Sequence, residues 1–167
     1  MRPLRLCMQA FGPYADVVEV DFRELGDRSL FLIHGPTGAG KTSILDAMCF
    51  ALFGEAAGSD RRGKEVRSHF AEPSVTTQVM LDFALGASVW RVTRIAEHAR
   101  AGGATMRPAH AILERLGENG ATELRASKVR EVDAAVSELL GFELEQFRQV
   151  VLLPQGEFRK LLVAESV

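Results

Sequence analysis

An α/β fold is what the sequence predicts, and three observations predict it. Short segments of alternating apolar and polar residues fill the front and middle of the chain, as half-buried strands do. A Gly-rich stretch, HGPTGAGKTS over 34–43, lies between an apolar run and a segment that is apolar on nearly every side. The last third carries apolar residues at helical spacing.

The elements follow in order. Leu4, Leu6 and Met8 alternate with Arg5, Cys7 and Gln9, which gives a first strand. Gly12-Pro13 ends it. Val18, Val20 and Phe22 alternate with Glu19 and Asp21, so a second strand completes a hairpin. Leu30–Ile33 shows no polar alternation and is expected as a strand buried on both faces. Lys41–Phe53 is apolar all round, which predicts a central buried helix. Residues 54–74 are rich in Gly, Ser and charge and read as loop. Val79, Leu81, Phe83 and Leu85 alternate with Met80, Asp82 and Ala84, and Val89 to Ile95 follows the Gly86-Ala87-Ser88 turn as a second arm. Glu97 to Pro108, with Gly102-Gly103, reads as a loop, and Ala109–Leu116 as a third strand ended by GENG. An antiparallel region thus spans 75–116. Over 127–149 the spacing predicts helix: Ser127 is its N-cap, Val129, Val132, Val136, Leu139 and Leu140 form one stripe, and Gly141 is its C-terminal glycine. Gln149 to Pro154 reads as a short apolar strand, and Gly156 restarts a helix.

Composition narrows the function classes. The 167 residues suit one domain, 1–167, and 47% hydrophobic residues suffice for a core. Twenty basic against 22 acidic residues leave a net charge of −2, so overall charge argues neither for nor against a nucleic acid. Cys7 and Cys49 sit in apolar surroundings and are expected as reduced thiols of a cytoplasmic protein. The longest all-apolar run, Ala47 to Phe53, is too short to cross a bilayer, so no membrane association is expected.

The Gly-rich stretch carries the chemistry. Gly35-x-x-x-x-Gly40-Lys41-Thr42 matches GxxxxGK[ST]. Successive backbone N–H groups must face one phosphate, and glycine permits the required dihedrals. A helix beginning near Lys41 adds its positive end. In this pattern the lysine reaches the β- and γ-phosphates and the Thr42 hydroxyl ligates Mg²⁺. The run predicts a P-loop, hence a nucleoside triphosphate.

Three machines compete for it. A small GTPase needs Asn-Lys-x-Asp, and Asn119, in GENGAT, is the single asparagine, so that motif is absent. A stand-alone kinase of a small metabolite fits the length, with Arg61-Arg62 in the place of an Arg-rich lid. Half of an ABC-type ATPase head fits the middle hairpin. It also fits VVLLPQGEF at 150–158, where Gln155 sits as a Q-loop glutamine, bringing an uncharged amide oxygen to Mg²⁺ and the attacking water. Lys41 and Gln155 are then the catalytic candidates, and Thr42 and Gln155 the metal ligands.

Three blocks together, LRLCMQAFGPYADVVEVDF, LFLIHGPTGAGKTSILDAMCFALFGEA and FRQVVLLPQGEFRKLL, resemble the N-terminal head segment of the SbcC family of SMC-like ATPases. The resemblance implies an ABC-type half-head with a mixed sheet, an antiparallel hairpin subdomain and C-terminal helices. It implies ATP and Mg²⁺ held by Gly35, Pro36, Thr37, Gly38, Ala39, Gly40, Lys41, Thr42 and Ser43, with Gln155 in the Q-loop. It maps adenine and ribose contacts to Gly12–Tyr14 and to Val66 and Arg67. It implies as partners the C-terminal lobe of the same polypeptide, a second head in a homodimer, an SbcD-type nuclease subunit and double-stranded DNA ends. Residues 157–167 then begin a coiled coil or a lobe-docking helix. A third, non-enzymatic reading is a DNA clamp that uses ATP only to dimerise.

A complete site needs more than this chain offers. Val79-Met80-Leu81-Asp82 is the nearest approach to a Walker B segment, but Phe83 follows it inside an alternating hairpin. No LSGG stretch and no CxxC hook occur, His34 reads as a strand-end residue beside the loop, and His69, His98 and His110 have no partners at metal-ligand spacing. The chain is expected to grip phosphate with little turnover of its own, and to expose apolar surface where the second lobe docks. Two basic clusters, Arg61, Arg62, Lys64 and Arg67, and then Arg91, Arg94, Arg100 and Arg107, are the candidate DNA contacts.

Overall fold

The computed structural model describes residues 1–26, 28, 30–57, 66–99, 106–117 and 119–150, with the side chains of 99, 149 and 150 left aside. The strands are β1 (Arg2–Phe11), β2 (Tyr14–Asp21), β3 (Gln78–Leu85), β4 (Ser88–Ile95), β5 (His98–Ala99), β6 (Met106–Arg107), β7 (His110–Leu116) and β8 (Thr122–Ala126). The helices are α1 (Lys41–Phe53), α2 (Val129–Leu140) and α3 (Leu144–Val150), with a 3-10 turn at Phe22–Leu25.

Six strands form one sheet in the order β2-β1-β3-β4-β7-β8, while β5 and β6 pair apart from it. Every pairing between these strands is antiparallel, so the expected mixed sheet is corrected among the described residues. The cause lies at Leu30–Ile33. A strand exists only where a neighbour takes its backbone hydrogen bonds. Here 30–33 is coil, and Leu30, Phe31 and Leu32 are 87%, 51% and 82% exposed, against the expectation of a doubly buried strand.

Alternation sorts the sheet into two faces. Leu6, Leu81, Val92 and Leu113 stand opposite one another across four strands and are fully buried. Helix α1 covers β1, β3 and β4 on that face, and α2 covers β7 and β8. The other face carries a row of alternating charge. Asp21 pairs Arg5, Arg5 pairs Asp82, Asp82 pairs Arg91, and Arg91 pairs Glu114. Arg91 grips Asp82 with both arms, at 2.6 and 2.7 Å.

The helices end as their sequences dictate. Gly54 and Gly141 take left-handed C-caps at φ 80° and 75°. The N-cap of α2 is Lys128 rather than Ser127. Helix α3 reaches Val150, so Gln149 and Val150 are helical where a strand was expected. Phe147 of α3 anchors it against Phe53 and Phe142, with ring centroids 5.3 and 5.8 Å away.

Candidate functional site

The Gly-rich loop runs from the exposed coil 30–34 into α1. Its glycines are required by conformation: Gly35, Gly38 and Gly40 have φ of 151°, 83° and 86°. Gly40 is also the N-cap of α1, and no side chain caps the helix there. Among the described residues no hydrogen bond takes up the N–H of Gly38, Gly40 or Lys41. These are orphan donors of a helix start, which suit an anion. Lys41 Nζ folds over the loop and donates to Gly35 O at 2.9 Å and Pro36 O at 2.8 Å. Thr42 is exposed, whereas Ser43 is buried and its N–H donates to Gly40 O at 2.9 Å.

The turn after β1 abuts this loop. Gly12 has φ 55°, and a Cβ there would lie 3.1 Å from Ser43 Oγ. Its N–H donates to Val66 O at 2.8 Å. Ala10, at φ 49°, forms a bulge two residues earlier, and its carbonyl accepts from Ser68 N–H and the Thr77 hydroxyl. A small cleft of about 10 Å³ lies between Phe11, Gly12, Ser43, Asp46, Ala56 and Val66.

The far end of α1 is clasped by arginines. Arg94, on the core face of β4, donates to Ala51 O at 2.7 Å and Leu52 O at 2.8 Å, and pairs with Asp133 of α2 at 2.6 Å. Burial lowers its pKa, and Asp133 pushes back. Arg148 of α3 donates to Ala56 O at 2.6 Å.

Several expected site residues are placed differently. Val66 is buried, and the Arg67 guanidinium is committed to Glu72 O, Val75 O and Thr77 Oγ1, so it offers little toward a ribose. Of the second basic cluster, Arg91 is part-exposed and ion-paired with Asp82, while Arg94 lies in the core, which removes Arg94 from a DNA-facing surface. Arg107 is exposed. Gln155, the 157–167 segment, Arg61, Arg62, Lys64 and Arg100 lie outside the described residues. Sequence reasoning missed the clasping role of Arg94, although its step of two from Val92 and Trp90 puts it on the core face.

Among the described residues there is no group of three or more His, Cys, Asp or Glu able to hold a metal, and no helix long and apolar enough to cross a membrane. Asp82 of β3 is ion-paired with Arg91 of β4.

Fold and loop together define a P-loop nucleotide-binding domain. The family described as AAA domain matches residues 5–166, and the chain belongs to that family. It is 48% identical over 99% of its length to a protein of Vibrio cholerae named as the C subunit of the nuclease SbcCD. It is 38% and 39% identical, again over 99%, to proteins of the same name from Staphylococcus haemolyticus and Staphylococcus aureus. The chain spans 17%, 16% and 16% of the length of those relatives.

Proposed function

We propose that this chain is the nucleotide-gripping segment of an SMC-like ATPase that controls a DNA-end nuclease in repair and recombination. The observation that carries the reading is the loop itself. Gly38, Gly40 and Lys41 present N–H groups with no protein partner among the described residues, beside the Lys41 ammonium, where a triphosphate needs donors and positive charge. Gly35 to Ser43 would hold ATP. Thr42, exposed at the first turn of α1, would ligate Mg²⁺, with Gln155 as the second ligand from the protein. The bound Mg²⁺ would neutralise phosphate charge during transfer.

The exposed Leu30–Leu32 run stands directly before the loop. An apolar segment without a backbone partner suits an added strand from a second lobe. In this reading that lobe is the C-terminal part of the same polypeptide. It supplies the base that this chain lacks, and a second head closes over the γ-phosphate. The nuclease subunit and double-stranded DNA ends are the further partners, and the assembly works in the cytoplasm.

Steady-state Mg-ATP turnover, with Lys41→Ala as control, tests the proposal. We expect negligible turnover from residues 1–167 alone and Lys41-dependent turnover once the second lobe is present. Turnover of about 1 per second or more by 1–167 alone, lost in Lys41→Ala, would favour a self-sufficient kinase instead.

A further inference from the structure

The turn Gly12–Tyr14 was expected beside the base and ribose. It also lies against the phosphate loop. Tyr14 Oη lies 3.4 Å from Ala39 O and 3.2 Å from Gly40 O, so one hydroxyl stands within long hydrogen-bond reach of two consecutive carbonyls of the loop. The ring sits so close to Gly40 that a Cβ there would meet Tyr14 Oη at 2.6 Å and Pro13 Cγ at 2.7 Å. Only glycine permits that approach, quite apart from its φ of 86°.

In a trans peptide the C=O and N–H point in opposite directions. The carbonyl of Ala39 shares its peptide with the N–H of Gly40, and that of Gly40 with the N–H of Lys41. Gly40 O also accepts from the Ser43 N–H at 2.9 Å; the Tyr14 hydroxyl adds a donor on the same side for both carbonyls, which turns both N–H groups to the other. Those are two of the loop donors left without a partner among the described residues. The residue that does this is well anchored. Tyr14 is the first residue of β2, paired with Phe11 across the hairpin, and Gly12 is tied to Val66 O. The post is therefore part of the six-stranded sheet.

We propose that Tyr14 is a positioning residue for phosphate: it fixes two peptide planes of the loop so that the N–H groups of Gly40 and Lys41 face the nucleotide, and it does not act on the base. This rests on the phosphate-gripping reading above. Burial holds the phenol above its ordinary pKa, so it remains a donor at neutral pH.

The experiment uses the polypeptide with its second lobe present, as wild type and as Tyr14→Phe, which keeps the ring and deletes the hydroxyl. Calorimetric affinities are measured for Mg-ATP, Mg-tripolyphosphate and adenosine, along with KM and kcat for ATP. We expect Mg-ATP and Mg-tripolyphosphate to weaken by the same factor, about two- to tenfold, the range for one modest hydrogen bond. KM should rise by that factor, with adenosine affinity and kcat unchanged. A folding defect would weaken adenosine equally, so an equal loss for all three ligands overturns the proposal. Unchanged tripolyphosphate affinity beside weakened ATP also overturns it, because Tyr14 would then act on the nucleoside. Unchanged affinity for every ligand overturns it as well. If wild type and Lys41→Ala bind tripolyphosphate equally poorly, the phosphate-gripping reading itself fails.

Discussion

Replacing Arg94 by methionine should destabilise the protein more than removing its ionic partner. Arg94 is a buried cation whose side chain is 3% exposed, and two of its three bonds go to last-turn carbonyls of α1. Methionine fills much of the volume but leaves Ala51 O and Leu52 O without that donor. Each orphaned carbonyl costs about 1–3 kcal/mol. Loss of the guanidinium's own desolvation cost offsets part of this, so the net is about 2–4 kcal/mol. The Asp133 carboxylate is 42% exposed, so water screens it. Asp133→Asn should cost about 1 kcal/mol or less. Urea unfolding followed by circular dichroism measures both, provided that the m-values agree. A loss of about 3 kcal/mol corresponds to a melting temperature lower by about 6–12 °C for a domain of this size. If Asp133→Asn proves as costly as Arg94→Met, the ion pair and not the helix end is what Arg94 serves, and the reasoning fails.

Three further outcomes follow from the same geometry. Gly12→Ala forces an L-residue into φ 55° and sets a methyl 3.1 Å from Ser43 Oγ, so stability should fall by about 1–2 kcal/mol. Adding Ser43→Ala should recover only a part, because the backbone strain remains; full recovery in a melting experiment would refute the strain argument. Burial pushes the Cys49 thiol up to about 12, and the side chain is inaccessible, so a disulfide reagent at about pH 8 should label Cys49 only after denaturation. Rapid native labelling at Cys49, mapped by mass spectrometry, would contradict its placement. Arg23 holds the exposed Asp21 carboxyl down to about 2 by side-chain and backbone hydrogen bonds. A depressed carboxylate stabilises above its unfolded pKa of about 4 and loses that contribution as pH falls toward about 2. Melting temperatures of wild type and Asp21→Asn should therefore differ slightly at neutral pH and converge in acid; a gap that persists at the acid end would oppose this.

Much of the fold is legible because it is local. The bounds Lys41–Phe53 follow from a glycine at each end and an apolar run between them. The β3–β4 hairpin follows from Val79, Leu81, Phe83 and Leu85 at every second place before the turn at Gly86. Strand β8 was missed, since TELRA buries Ala126 alone and so lacks an apolar period. The Leu30–Ile33 error has another origin. Apolar sequence reports an appetite for burial, but a strand also needs a neighbouring backbone, and sequence spacing does not reveal one. The site divides likewise. The loop residues are recognisable from their pattern. The inward turn of Arg67, the clasp of Arg94 and the approach of Tyr14 to Gly40 arise only when distant strands meet.

The charged row across the outer face works as a parity check on assembly. Each interior member, Arg5, Asp82 and Arg91, faces opposite charge on both sides. Sliding β4 along β3 by two places would keep every core-facing residue on the core face, so hydrophobicity alone tolerates the error. The charges do not. Arg91 would then face Met80 or Ala84, and Asp82, which is nearly buried, would lose its counter-ion there. Wrong stackings are thus rejected by a code of sign, written on the side of the sheet that contributes least to the core.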